Sequence, residues 1–182
     1  MHEHRDEAVV PSLVEVNVPI TTMREMFAHE LGDIYDAEQQ FLKGQAEMAK
    51  NATDPTLKAG IEKHMAETEQ HIKNVEQVFK LVGEQPKAER CPVAAGLVTE
   101  AKQGMKEAQV DAIRDCMIGE SAEKVEHYEI VSYRGLIASA ELMKQSAAVK
   151  LLKENLAQEE KTAALLEQGA PGLLKKAMAA GK

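Results

Sequence analysis

No tryptophan occurs in the 182 residues, and three tyrosines and three phenylalanines bring the aromatic share to only 3%. Sheet cores lean on aromatic and β-branched side chains, so this scarcity tells against an all-β fold. Two cysteines, Cys91 and Cys116, cannot frame a disulfide scaffold. No apolar run reaches the roughly 18 residues that a membrane-spanning helix needs. Positive charge is in deficit: 22 Lys and Arg against 30 Asp and Glu leave a net charge of -8 and a sequence pI of about 5.3. That balance tells against nucleic acid and against an anionic membrane surface as partners. The first residues, Met1-His2-Glu3-His4-Arg5-Asp6-Glu7, are too polar for a signal peptide, and the expected location is the cytoplasm.

What is abundant is helix formers: Ala, Leu, Glu, Lys, Gln and Met. Apolar residues recur at helical spacing through most of the chain, so the class is all-α. Residues 1–19, with Pro11 and Pro19, read as an N-terminal tail or docking arm; residues 20–168 form one helical bundle; residues 169–182 form a C-terminal tail or short docking helix. Thr22 and Glu25 make a capping box for a first helix that runs to about Asn51. Its apolar face collects Phe27, Leu31, Ile34, Tyr35, Leu42, Gln45 and Ala49. Asp54 and Pro55 start a second helix, Thr56 to Leu81, which Gly83 ends. A shorter amphipathic helix follows Cys91-Pro92, with Val93, Leu97, Ala101 and Met105 inward, as a crossover between two antiparallel hairpins. The last long helices span about Ala108 to Ala140 and Gln145 to Gln168, the latter stopped by Gly169, Pro171 and Gly172.

Acidic residues stand where apolar ones belong. Turning about 100° per residue from His64 places Glu67 near 300° and His71 near 340°. That is the side of Leu57, Ile61, Val75, Val78 and Phe79. Glu38 lies at the centre of the first helix's face, Glu126 and Glu129 face inward or along the seam of the third long helix, and Glu159 sits mid-face on the fourth. A buried, unpaired carboxylate costs several kcal/mol or takes up a proton. Few Lys or Arg fall on the inner faces, so cations are the natural compensation. Carboxylate oxygens with one or two imidazoles suit iron or manganese, and four inward-facing acidic helices are the arrangement of a di-metal carboxylate bundle. The candidate ligands are Glu38, Glu67, His71, Glu126, Glu129, Glu159 and His64. Any one of them alone would ordinarily be a wet edge residue or a hydrogen-bonded seam histidine; coincidence on four helices carries the reading. Tyr35 and Tyr133 fit as core residues whose hydroxyls reach the carboxylates. Thr162, not a histidine, stands three residues after Glu159, so the second hairpin lacks the Glu-x-x-His pair of many di-iron bundles.

The segments Phe27-Ala28-His29-Glu30-Leu31-Gly32-Asp33-Ile34-Tyr35-Asp36-Ala37-Glu38-Gln39-Gln40, His64-Met65-Ala66-Glu67-Thr68-Glu69-Gln70-His71, Cys91, and Lys124-Val125-Glu126-His127-Tyr128-Glu129-Ile130 resemble the YciF/YciE-type ferritin-like stress proteins. The resemblance spans about residues 20–168. It implies a ferritin-like four-helix bundle with an extra short helix, a homodimer, and a link to bacterial stress responses, in a family whose activity is poorly defined. Two functions are then in contention. One is a di-metal protein that oxidises ferrous ion with oxygen or peroxide. The alternative is a non-catalytic dimeric stress protein, its metal-free polar core held by paired carboxyl and imidazole groups. An interaction module working through an exposed helix face ranks behind both.

Overall fold

A computed structural model describes residues 19–180. The expected N-terminal arm, residues 1–19, lies outside these but for Pro19. The described residues form five helices: α1 Met23–Asn51, α2 Pro55–Leu81, α3 Pro92–Glu107, α4 Asp111–Leu142 and α5 Ser146–Ala180. The expected caps form. Thr22 and Glu25 close the capping box of α1, and Asp54 accepts from the backbone N–H groups of Thr56 and Leu57 at the start of α2. Gly83, at φ 78°, takes the left-handed turn after α2.

Helices α1, α2, α4 and α5 make the four-helix bundle, and α3 packs against α1 and α4. Asp115, near the start of α4, binds the α1–α2 turn: its carboxylate accepts from Thr53 N–H, the Thr53 hydroxyl and Asp54 N–H at 2.7–2.9 Å. The α2–α3 loop is pressed so tightly on α1 that a β-carbon at Gly32 would lie 2.7 Å from Glu89 Cγ. Glu89 N–H donates to Gly32 C=O across that contact.

Three local expectations are corrected. On α1 Phe41 is fully buried in place of its neighbour Leu42, which is only half-buried. On α3 Ala94 is inward and Val93 is exposed. Helix α5 does not stop at Gly169 but continues through Pro171 to Ala180. Pro171 forfeits one backbone hydrogen bond, yet its neighbours are held from outside the helix. Leu173 packs against the lower core beside Gly119, and the Lys176 ammonium pairs with Asp54.

The core has two apolar clusters. Along α2, Leu57 and Ile61 belong to one and Val75, Val78 and Phe79 to the other. The helix between them presents His64, Thr68 and His71, all buried.

Candidate metal centre

Four carboxylates and two imidazoles meet in that middle layer. Glu38 comes from α1, His64 and His71 from α2, Glu126 and Glu129 from α4, and Glu159 from α5. None is more than 3% exposed. Their donor atoms fall into two sets, each with its atoms within 4.8 Å of one another. His64, Glu126, Glu129 and Glu159 form one, and Glu38, His71 and Glu159 the other, so Glu159 belongs to both.

Each histidine turns one ring nitrogen to the centre and has the other engaged. His64 Nε2 lies 3.2 Å from Glu126 Oε1 and 3.3 Å from Glu159 Oε2, while its Nδ1 meets the Thr162 hydroxyl at 3.2 Å and Glu67 Oε2 at 3.3 Å. His71 Nδ1 lies 2.8 Å from Glu159 Oε1 and 3.5 Å from Glu38 Oε1, and its Nε2–H donates to Gln158 Oε1 at 2.6 Å. Neither inward nitrogen makes an aligned hydrogen bond, although His71 Nδ1 is within ion-pair distance of Glu159 Oε1. Also without a hydrogen-bond partner are both oxygens of Glu129, both of Glu159, and one each of Glu38 and Glu126. Native cores rarely leave polar atoms without a hydrogen bond, and eight in one layer form a convergent donor set.

The electrostatics agree. Burial, reinforced by the neighbouring acids, pushes the Glu126 and Glu159 carboxyls up to about 8. Burial and the charges of Glu159, Glu38 and Glu126 hold Glu129 well above the carboxylate range. Burial opposes charge on His71, but Glu159 and Glu38 outweigh it and push the ring up to about 11. Metal-free, the layer must therefore carry extra protons. Two divalent ions would cancel four carboxylate charges with both imidazoles neutral, and the mixed oxygen–nitrogen donor set suits iron or manganese.

A hydrogen-bond chain supports the layer. Tyr133 donates to Glu38 Oε1, Asn155 Nδ2 donates to the Tyr133 hydroxyl at 2.9 Å, and Asn74 Nδ2 donates to Asn155 Oδ1 at 2.7 Å. Tyr133 thus meets its expectation. Tyr35 instead donates to Glu76, away from the centre.

Glu67 joins neither set. It sits at the edge of the stripe with its side chain 20% exposed, ion-paired with Lys63 and facing His64 Nδ1. Burial raises its pKa, but Lys63 and His64 outweigh that and lower it. It braces His64 from outside. His127 stays on the flank, half-exposed beside Glu123 and Glu167. The supports that sequence reasoning missed are Asn155, Asn74 and Gln158. Asn155 stands four residues before Glu159 and Asn74 three after His71, spacings that share a helix face; Gln158 carries no such signal.

The fold and this layer define a ferritin-like helical bundle with an acidic, histidine-bearing core. Residues 22–179 match the family described as "Domain of unknown function (DUF892)". Protein YciF of Escherichia coli (strain K12) is 34% identical over 142 residues, 78% of this chain and 86% of that protein. The chain belongs to this YciF-type family. Among solved structures, the E. coli stress protein YciF is 32% identical with a TM-score of 0.82, covering 86% of this chain and 99% of that one. YcfI from Rhodopseudomonas palustris, described as a candidate structural protein, is 36% identical with a TM-score of 0.80, covering 85% and 98%. A Xanthomonas campestris pv. campestris protein, 22% identical with a TM-score of 0.68 over 86% and 99% of the chains, shares the fold.

Proposed function

We propose that this stress-family protein binds two iron or manganese ions between its helices. Glu38 and His71 would hold one ion, and His64, Glu126 and Glu129 the other, with Glu159 serving both. The single observation that carries the reading is the set of eight orphaned donor atoms on six buried residues. Bound iron or manganese would supply redox chemistry toward oxygen or peroxide, and the protein would remove ferrous ion or peroxide during stress. The chain's own part is to orient the ligands. Gln158 and Thr162 fix the ring nitrogens that face away from the centre, which sets the inward lone pairs. Tyr133 holds Glu38 by its hydroxyl. Burial of all six side chains limits competition from bulk water. We place the protein in the cytoplasm as a homodimer; among the described residues no helix is long and apolar enough to cross a membrane.

A second reading is favoured by the ease with which the same groups pair without metal. A protonated His71 sits between Glu38 and Glu159, and a non-catalytic stress protein could keep that polar core. Metal analysis after purification without chelator separates the two. The first reading expects iron or manganese in the wild type and its loss in Glu159→Ala. Equal, near-background metal in both proteins would overturn it.

A further inference from the structure

Beside this layer a cavity of about 650 Å³ opens between the lower halves of α2 and α5. Its inner end is polar, lined by His64, Thr162 and Glu126, and its walls are apolar, with Ile61, Val98 and Leu166 among them. Gly60, Gly169 and Gly172 also line it, and a β-carbon at any of the three would meet nothing within 4 Å. The cavity is open to the surface rather than sealed, so a small molecule can enter it from solvent. Its volume falls within the range of small-molecule sites, which share this apolar wall and few polar groups.

Charge selects the occupant. Around the cavity stand Asp54, Glu67, Glu120, Glu123 and Glu126, while Lys63 and Lys176 are already paired with Glu67 and Asp54. An anionic headgroup would find no free cation among the described residues there, and a cationic one would find Asp54, Glu67 and Glu120 already paired, the last with Lys124 at 3.3 Å. We propose that this cavity binds an uncharged, largely apolar small molecule, of the class of an alkyl alcohol, with its chain along α2 and α5 and its polar end toward His64 and Thr162. The site goes beyond the metal reading and stands without it, since the walls owe nothing to a bound ion.

The test uses the full chain in EDTA and the neutral fluorophore N-phenyl-1-naphthylamine, displaced by 1-dodecanol or by dodecanoate. The expected result is saturable binding at one site per chain, with dodecanol competing at least about tenfold better than dodecanoate. Ala122→Phe fills the interior and Gly60→Phe the open side; each should weaken probe binding about tenfold or more, while Val131→Ser, on a distant exposed face, should not. Gly60→Phe replaces a helical glycine with open space before it, so it keeps the test valid if Ala122→Phe fails to fold. Absent saturable binding, binding unchanged in Gly60→Phe, or preference for dodecanoate would each overturn the proposal. Exclusion of the probe by self-association, with binding only on dilution to monomer, would assign the cavity to a second copy of this chain and overturn it as well.

Discussion

Replacing Glu129 by leucine should make the metal-free protein more stable and the metal-treated protein less so. Glu129 is fully buried, and neither of its oxygens has a hydrogen-bond partner. A buried polar atom left unsatisfied costs about 1–3 kcal/mol, and exchanging buried ionisable groups for apolar ones of similar size often returns about 1–4 kcal/mol. With no partner to strand, Glu129→Leu should gain roughly 1–3 kcal/mol in EDTA. At roughly 2–4 °C per kcal/mol for a chain of this size, the melting temperature should rise by about 2–12 °C. Saturating metal reverses the order. A ligand at a thousand times its Kd adds about 4.1 kcal/mol to the wild type, more than the substitution returns, and the variant should gain far less. With no tryptophan to report unfolding, circular dichroism at the helical band is the assay. A variant that melts below wild type in EDTA, or shows the same metal-induced rise, would remove Glu129 from the proposed ligand set.

The metal-free wild type should lose stability as pH rises from about 5 to 8. The folded-state pKa values of Glu126 and Glu159, about 8, lie above their unfolded values, so between the two the native state binds more protons and each pH step favours unfolding. The His71 contribution, with its ring at about 11, is full only below the ordinary imidazole value of 6.5 and is lost progressively as pH rises from there to 11, adding to the decline. Metal affinity should move the other way, rising from pH 6 to 8 with protons released on binding, as calorimetry in buffers of different ionisation enthalpy would show. Thr162→Val frees His64 Nδ1 from its hydroxyl partner and should weaken metal binding about 10–100-fold, with Thr162→Ser restoring it in a competitive chelator titration. Asp115→Ala strands the Thr53 and Asp54 N–H groups at the α1–α2 turn and should cost about 2–4 kcal/mol in urea unfolding, with metal content unchanged.

Much of the bundle was legible because its cues are local. Capping residues, helical periodicity and the Gly83 stop each act within a turn or two of chain. Helix α5 was not, because Pro171 and two glycines signal an end that is overridden by Leu173 at the lower core and Lys176 on Asp54, contacts made across the fold. Periodicity also found the acids at the centre of their faces: Glu38, Glu126, Glu129 and Glu159 are all buried together. It failed at Glu67, which lies on the rim of its stripe, where a few tens of degrees decide between the core and a lysine. Glu67 took the lysine, and Thr68 took the buried position, accepting from Gln45. The supports Asn74, Asn155 and Gln158 work between α2 and α5, and no single helix reveals which two faces will meet.

Anomalous scattering measured at the iron and manganese edges, on crystals of protein never exposed to chelator, tests the centre most directly. Edge-dependent density is expected on either side of Glu159, one feature against Glu38 and His71 and the other against His64, Glu126 and Glu129. Flat anomalous maps there, with His71 hydrogen-bonded between Glu38 and Glu159 and water or nothing in the remaining space, would contradict it.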